Sequence, residues 1–412
     1  MVPNGWERKS IKELCESIID CVNKTAKHVD YTTPYKMIRT TNVRHGKVDT
    51  ENVRYVDEDV YKQWIRRGAP QDGDIIFTRE APVGEAGILE NSEGIFLGQR
   101  TMMYRVNPEV ANNRFVFYSL MSGYCQKQIE DLSNGGTVAH MRVPDCGEII
   151  INSPPLLEQQ KIAKILSTWD KAISTTERLI DNSTQQKKAL MQQLLTGKKR
   201  LLDESGKRFE GEWEEYKLGE ITDFIRDGTH GTHKRYESGV LMLSAKNITK
   251  QNTVDFDDAP YISEEDYNKI HARYTIKSGD ILLTVVGTLG RVALVPEELA
   301  EKFTLQRSVA IIRVAKGVCN QFLMQLFSSS DFTHLLHRKS NSTAQAGVYL
   351  GELGKLKILL PSLKEQQKIA TVLTNADKEI ELLEQQLADL QQEKKALMQV
   401  LLTGKKRVKL ND

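Results

Sequence analysis

Two histidines three residues apart, His230 and His233 in DGTHGTHKRY, have the spacing of a metal-ligand pair in this 412-residue sequence; His334 and His337 share it but fall on an expected helix as ordinary surface or core residues. A zinc site needs three or four protein ligands. The glycines and threonines around the pair make a polar loop, and the motif offers no further ligand, so loop contacts with a partner are the stronger reading. The same loop belongs to a wider group of turns rich in Arg, Lys, Asn, Gln, Ser and Thr. The others are IRTTNVRHGK (residues 38–47), FTREAPVGE (77–85) and LSAKNITK (243–250), with a Gln-Arg pair in each half of the chain. These side chains donate to phosphates and base edges. The candidates for nucleic-acid contact are Arg39, Thr41, Arg44, Arg79, Gln99 and Arg100 in the first half. In the second half they are Thr229, His230, His233, Lys234, Arg235, Lys246, Asn247, Arg291, Gln306 and Arg307. For any single residue an internal ion pair or a solvated loop is the commoner fate; the clustering carries the argument.

Catalytic chemistry has no such foothold. The chain lacks GxGxxG after a strand, a Walker loop, HExxH and GxSxG. The only Pro-Pro, in Ser153-Pro154-Pro155-Leu156, lacks the Asn or Asp and the aromatic of an adenine methyltransferase motif. Cys15, Cys21, Cys125, Cys146 and Cys319 form no CxxC pair, which points away from a disulfide framework and toward a reducing cytoplasm. No apolar run approaches a membrane span and the first residues form no leader. A net charge of +2 makes no case for nucleic acid by itself. The chain reads as a binder without a cofactor or metal of its own.

The elements that would position these loops are organised by a repeat. KKALMQQLLTGKKR (187–200) and KKALMQVLLTGKKR (394–407) differ at one of fourteen positions, 207 residues apart. Upstream, PPLLEQQKIAKIL at 154 faces PSLKEQQKIATVL at 361, and 27 of the 47 positions from Pro154 to Arg200 are identical to their partners. Fainter matches precede each copy: Trp6 with Trp213, GDIIFT with GDILLT, LGQRTMMYRV with LQRSVAIIRV. Two diverged modules thus alternate with two nearly uniform segments.

The uniform segments carry an apolar seam at alternating steps of four and three. It runs through Ile162, Leu166, Trp169, Ile173, Thr176, Ile180, Ser183, Lys187, Leu190 and Leu194. In the second copy it runs through Ile369, Leu373, Ala376, Ile380, Leu383, Leu387, Leu390, Lys394, Leu397 and Leu401. Pro at the entries and Gly197 and Gly404 at the exits suit helix ends. Each helix of ~40 residues would be ~60 Å long. The seam lysines Lys187 and Lys394 would either fix register or lay their stems along the seam with the ammonium in water. The lysines and arginine of GKKR would touch phosphate, meet a partner, or simply suit a helix C-terminus. The diverged modules mix turn-strand signals with one short helix each.

The expected fold class is α+β: two mixed modules separated by two long helices that form an antiparallel coiled coil, with a pseudo-two-fold internal repeat and neighbouring termini. The boundaries expected are 1–153 and 213–360 for the modules, 154–200 and 361–412 for the helical segments, and 201–212 for a linker.

This pattern resembles the specificity subunit of type I restriction–modification systems, on the strength of the duplicated order, PPLLEQQKIA and PSLKEQQKIA, LLTGKKR, DGTHGTHKRYESGVLMLSAKNI and GDILLTVVGTLGRVALV. The resemblance implies that each module is a target recognition domain reading one half of a bipartite, asymmetric double-stranded DNA site. It implies that the coiled coil sets the half-site spacing and docks two methyltransferase (modification) subunits, joined by restriction subunits. S-adenosylmethionine, ATP and magnesium would belong to those partners, and this chain would do no chemistry. Two other readings stay open: the recognition portion of a single-chain restriction–methylation enzyme, and a coiled-coil adaptor that binds no DNA.

Overall fold

The computed structural model of the protein describes residues 2–133, 139–340 and 347–409. Its chain divides into two compact units. One comprises Met1–Arg178 with Gln385–Asp412, the other Leu179–Glu384. The first unit is therefore built from two separated stretches of sequence and the second from one continuous stretch, and both long helices contribute to both units.

Those helices span Leu156–Leu194 and Leu363–Leu401, 39 residues each. All twenty seam positions are buried or half-buried. Within the first unit the start of the central helix packs against the end of the C-terminal helix, where Ile162, Ala163 and Leu166 share a core with Leu401 and Leu402. Within the second unit the roles exchange: Leu194 and Leu195 meet Ile369, Ala370 and Leu373. The two runs are antiparallel in each case. A fully buried Leu such as Leu166 or Leu373 contributes roughly 1.5–3 kcal/mol. Gly197 and Gly404 adopt φ of +69° and +68° and end the helices, as their positions predict. The Arg407 guanidinium donates to the Asn4 carbonyl at 2.9 Å, so both chain ends lie in the first unit.

Each unit holds a four-stranded antiparallel sheet. The strand order is Cys15–Asp20, Thr101–Val106, Ile75–Arg79, Val83–Ile88 in the first and Thr222–Asp227, Val309–Val314, Ile281–Thr284, Val292–Leu294 in the second. A three-stranded sheet adjoins it, made of Arg54–Tyr55, Lys36–Ile38 and Ile95–Leu97, or of Tyr261–Ile262, Val240–Leu243 and Phe303–Leu305. Glu7–Ser10 pairs with Ile150–Ser153, and Glu214–Lys217 with Lys357–Leu360, closing each module just before its long helix.

The Gly-Asp signature has a physical reason. Asp74 and Asp280 are buried, and each is held by two hydrogen bonds from an arginine on the neighbouring strand. Arg105 Nε and Nη2 reach Asp74 at 3.0 and 2.7 Å, and Arg313 reaches Asp280 at 2.7 and 2.7 Å. Gly73 precedes the first with φ +89°, and a Cβ there would fall 2.9 Å from Asn113 Nδ2. The sequence expectation is one short helix over residues 114–129 and one over 321–336; the structure splits each stretch in two, and adds the helices Glu58–Trp64 and Glu264–Ile270. Ser122 and Ser329 break the run by accepting from the N–H of Cys125 and Phe332, so Asn113–Leu120 is followed by Gly123–Leu132, and Asn320–Phe327 by Ser330–Lys339.

Candidate nucleic-acid interface and helical dock

In the second unit three polar segments are drawn together at the end of the sheet. The strand Thr222–Asp227 runs into the DGTH loop, whose Thr229 N–H donates to the Leu305 carbonyl (2.8 Å) while Arg307 N–H donates to the Thr229 carbonyl (3.1 Å). A Cβ at position 228 would sit 2.1 Å from the Leu305 oxygen, so only glycine allows this approach. The LSAKN segment joins them: Gln306 N–H donates to the Leu243 carbonyl, and Ala245 N–H to Ser308 Oγ. Thr229, Gln306 and Arg307 therefore stand side by side.

The histidines do not converge on one centre. His230 Nε2 lies 2.6 Å from Asp227 Oδ2, whereas His233 is partly buried between Thr229 Oγ1 (2.9 Å) and Asp266 Oδ2 (3.3 Å). Each braces the loop. Lys234, its ammonium over the Tyr236 ring, is exposed, as are Arg235 and Arg307, and among the described residues no carboxylate pairs with any of the three. Lys246 is exposed and donates to the Asp258 carbonyl at 2.9 Å. Arg291 reaches back to the Ile248 carbonyl at 3.1 Å. Asn247 is 2% exposed, and its amide holds Ser244, Asp255 and Asp257. It supports the loop from inside and presents nothing to a ligand.

The first unit uses its arginines differently. Arg79 is 16% exposed, ion-paired with Asp20 at 3.0 Å and bonded to the Met141 carbonyl. Arg100, at φ +70°, pairs with Glu80 at 3.2 Å. Both are ion-paired, Arg79 largely buried and Arg100 still 53% exposed. Gln99 accepts from Thr25 at 3.2 Å, and Thr41 is exposed. Arg39 and Arg44 are half-buried, and each keeps one N–H without a partner among the described residues. Burial and the nearby Arg54 guanidinium pull the Arg39 pKa down, a penalty that a phosphate would relieve. Arg54 was not a sequence candidate. Arg226, lying over the Tyr274 ring at 5.1 Å, was also missed, although FIRDGTH leads directly into the loop.

The duplicated segments explain themselves at the helix pair. Lys187 is ion-paired with Asp377, whose other oxygen accepts from Gln325 at 2.6 Å. Lys394 is ion-paired with Asp170, whose other oxygen accepts from Tyr118 at 2.5 Å. The seam lysines thus end on an aspartate of the opposite helix rather than in water. The arginine of GKKR likewise ends on a carboxylate of the opposite helix: Arg200 grips Glu365 with two bonds of 2.6 Å, and Arg407 grips Glu158 with two of 2.7 Å. Glu365 and Glu158 have side chains 0% and 1% exposed, so phosphate contact is not the task of these arginines. The adjacent Gln159 and Gln366 accept from the N–H of Asn112 and Cys319, capping a helix of the module from the long helix. Asp170, Asp377, Glu158 and Glu365 escaped the sequence reading, yet their identity at a spacing of 207 was the available signal.

Comparison with known proteins agrees with this architecture. The family model for the type I restriction modification DNA specificity domain matches residues 3–182 and 210–392. The chain is 29% identical to the type I restriction enzyme MjaVIII specificity subunit of Methanocaldococcus jannaschii, covering 84% of this chain and 85% of that protein. It is 23% identical to the EcoKI specificity subunit of Escherichia coli K12, covering 89% and 81%. In fold it is similar to the S subunit of a type I restriction–modification system from M. genitalium (TM-score 0.60, 17% identity, covering 100% and 99%) and to the HsdS subunit from Thermoanaerobacter tengcongensis (0.50, 18%, 98% and 98%). With two copies of the domain laid out 207 residues apart on one fold, this chain belongs to the type I restriction–modification DNA specificity family.

Proposed function

We propose that this chain is the non-catalytic recognition subunit of a type I restriction–modification complex, with target recognition domains at 1–153 and 213–360 joined through 201–212. Each recognition domain reads one half of a bipartite double-stranded DNA site. The helical segments fix the spacing and dock two methyltransferase subunits, with restriction subunits completing the assembly; S-adenosylmethionine, ATP and magnesium act on those partners. The carrying observation is the division of labour in the repeat. The helix pair keeps the same four charged side chains in each unit, whereas the polar loops share the internal asparagine brace (Asn42 and Asn247) and differ in the arginine contacts around it. A reader of two different half-sites needs divergent loops on a uniform frame. Exposed Lys234 and Arg235, in the loop that Thr229 ties to Gln306 and to exposed Arg307, supply phosphate and base donors.

Exchanging residues 1–153 for the module of another family member tests this. The methylated sequence changes in one half and the other half stays; a change in both halves would refute independent reading. Salt titration of duplex binding separates the adaptor reading, because phosphate contacts make affinity fall steeply with salt.

A further inference from the structure

The second unit contains an apolar groove of about 520 Å³ along the central helix. One wall is the repeated segment, with Lys188, Met191, Gln192, Leu195 and Thr196. The opposite wall includes Leu326, Phe332, Leu335 and Leu359, the last 47% exposed. In the first unit the helix wall recurs unchanged 207 residues later, as Lys395, Met398, Gln399, Leu402 and Thr403, and the opposite wall has its counterparts 207 residues earlier. The opposite wall changes character: Ser119 stands for Leu326, Cys125 for Phe332, Gln128 for Leu335 and Asn152 for Leu359. Gln128 is also spent on the strand beside it, donating to the Ile150 carbonyl at 2.9 Å and accepting from the Ile150 N–H at 3.0 Å. One face of the dock is duplicated and the other is not. The rim of the groove carries Lys188 and Arg338 against Asp331, with Lys357 ion-paired to Glu215 at 2.6 Å.

We infer that the two methyltransferase docking sites are unequal, and that the groove of the second unit receives an apolar, acid-flanked segment of the first modification subunit to bind. This rests on the docking role proposed above, because the shared wall is the duplicated helix surface assigned to it. Apolar area drives association, and the basic rim favours acidic neighbours on the entering segment. The first unit offers the same lysine, glutamine and methionine but a polar opposite wall, so it binds the second copy more weakly.

The test titrates the full chain with the purified modification subunit of the same system, following stoichiometry by native mass spectrometry and affinity by calorimetry. Two binding steps of different affinity are expected. The double substitution Leu335→Gln with Leu359→Asn installs the residues of the first unit and weakens the tighter step by about tenfold or more, leaving the other step unchanged. The reciprocal pair Gln128→Leu and Asn152→Leu strengthens the weaker step, so the inference stays testable should the first variant fold poorly. Two equal steps, or a tight step indifferent to the groove substitutions, would overturn the inequality while leaving docking intact. A chain that binds no modification subunit at all would instead sink the docking role itself.

Discussion

Arg200→Ala removes the only side-chain donor that the Glu365 carboxylate has among the described residues. Glu365 is fully buried, and Arg200 holds it with two bonds of 2.6 Å while also donating to the Gly211 carbonyl at 2.8 Å. Breaking a buried pair from one side costs about 3–5 kcal/mol, because the remaining charge is left unpaired in a poorly solvated site. The Arg200 head is partly exposed, so water can enter in its place and the lower end, about 3 kcal/mol, is expected. The equivalent Arg407→Ala should cost less. Glu158 keeps a second donor, Trp6 Nε1 at 3.2 Å, whereas the matching Trp213 Nε1 has no partner among the described residues. Replacing both members of the first pair, Arg200→Met with Glu365→Leu, should recover most of the loss, since apolar residues of similar volume leave no unpaired charge. Guanidinium unfolding gives the total stability. Hydrogen exchange resolved peptide by peptide assigns the loss to one unit, where protection should fall in 179–384 first. An Arg200→Ala chain within about 0.5 kcal/mol of wild type, or a double variant worse than the single one, would show that Glu365 is not held as described.

Three further outcomes follow from the same contacts. Leu383→Asp with Leu387→Asp places two charges on the seam, and the assembled complex should be lost in size-exclusion chromatography; normal assembly would refute the helical frame. His271 is buried between Tyr267 and Tyr274 and bonded to Thr304, and burial lowers its pKa from the ordinary 6.5. The unfolded chain therefore takes up a proton that the folded chain resists, so stability present above pH 6.5 declines as pH falls below it. Melting at pH 7.5 and 5.5 should show a smaller drop for His271→Gln than for wild type; equal drops would clear His271. Arg235→Ala with Arg307→Ala should reduce the slope of log affinity against log salt by about 1–2 if both touch phosphate, and an unchanged slope would remove them from the backbone.

The frame was legible from sequence because its information is periodic and duplicated. The apolar seam from Ile162 to Leu194 and from Ile369 to Leu401 follows directly from spacing, and so do the helix ends at Gly197 and Gly404. What spacing could not reveal was the destination of polar groups whose partners are far away in the chain. The GKKR arginines look like free cations beside a helix end, yet Arg407 meets Glu158 across 249 residues. Asn247 has the chemistry of a base reader but is consumed by backbone groups of its own loop. Arg100 has Glu80 beside it where Arg307 has no carboxylate, and Arg79 is largely buried against Asp20, neither of which local composition shows. The split of the expected helix in each module was missed because its break is made by a single serine cap, Ser122 or Ser329, inside an otherwise helical pattern.

The most direct measurement is single-molecule sequencing of methylated bases in genomic DNA from cells expressing this chain with and without its methyltransferase subunit. Methyladenine in both halves of one split motif, present only when the two proteins are expressed together, is the predicted result. Both proteins soluble and associated, with no split motif methylated in any sample, would contradict the claim that this chain reads DNA.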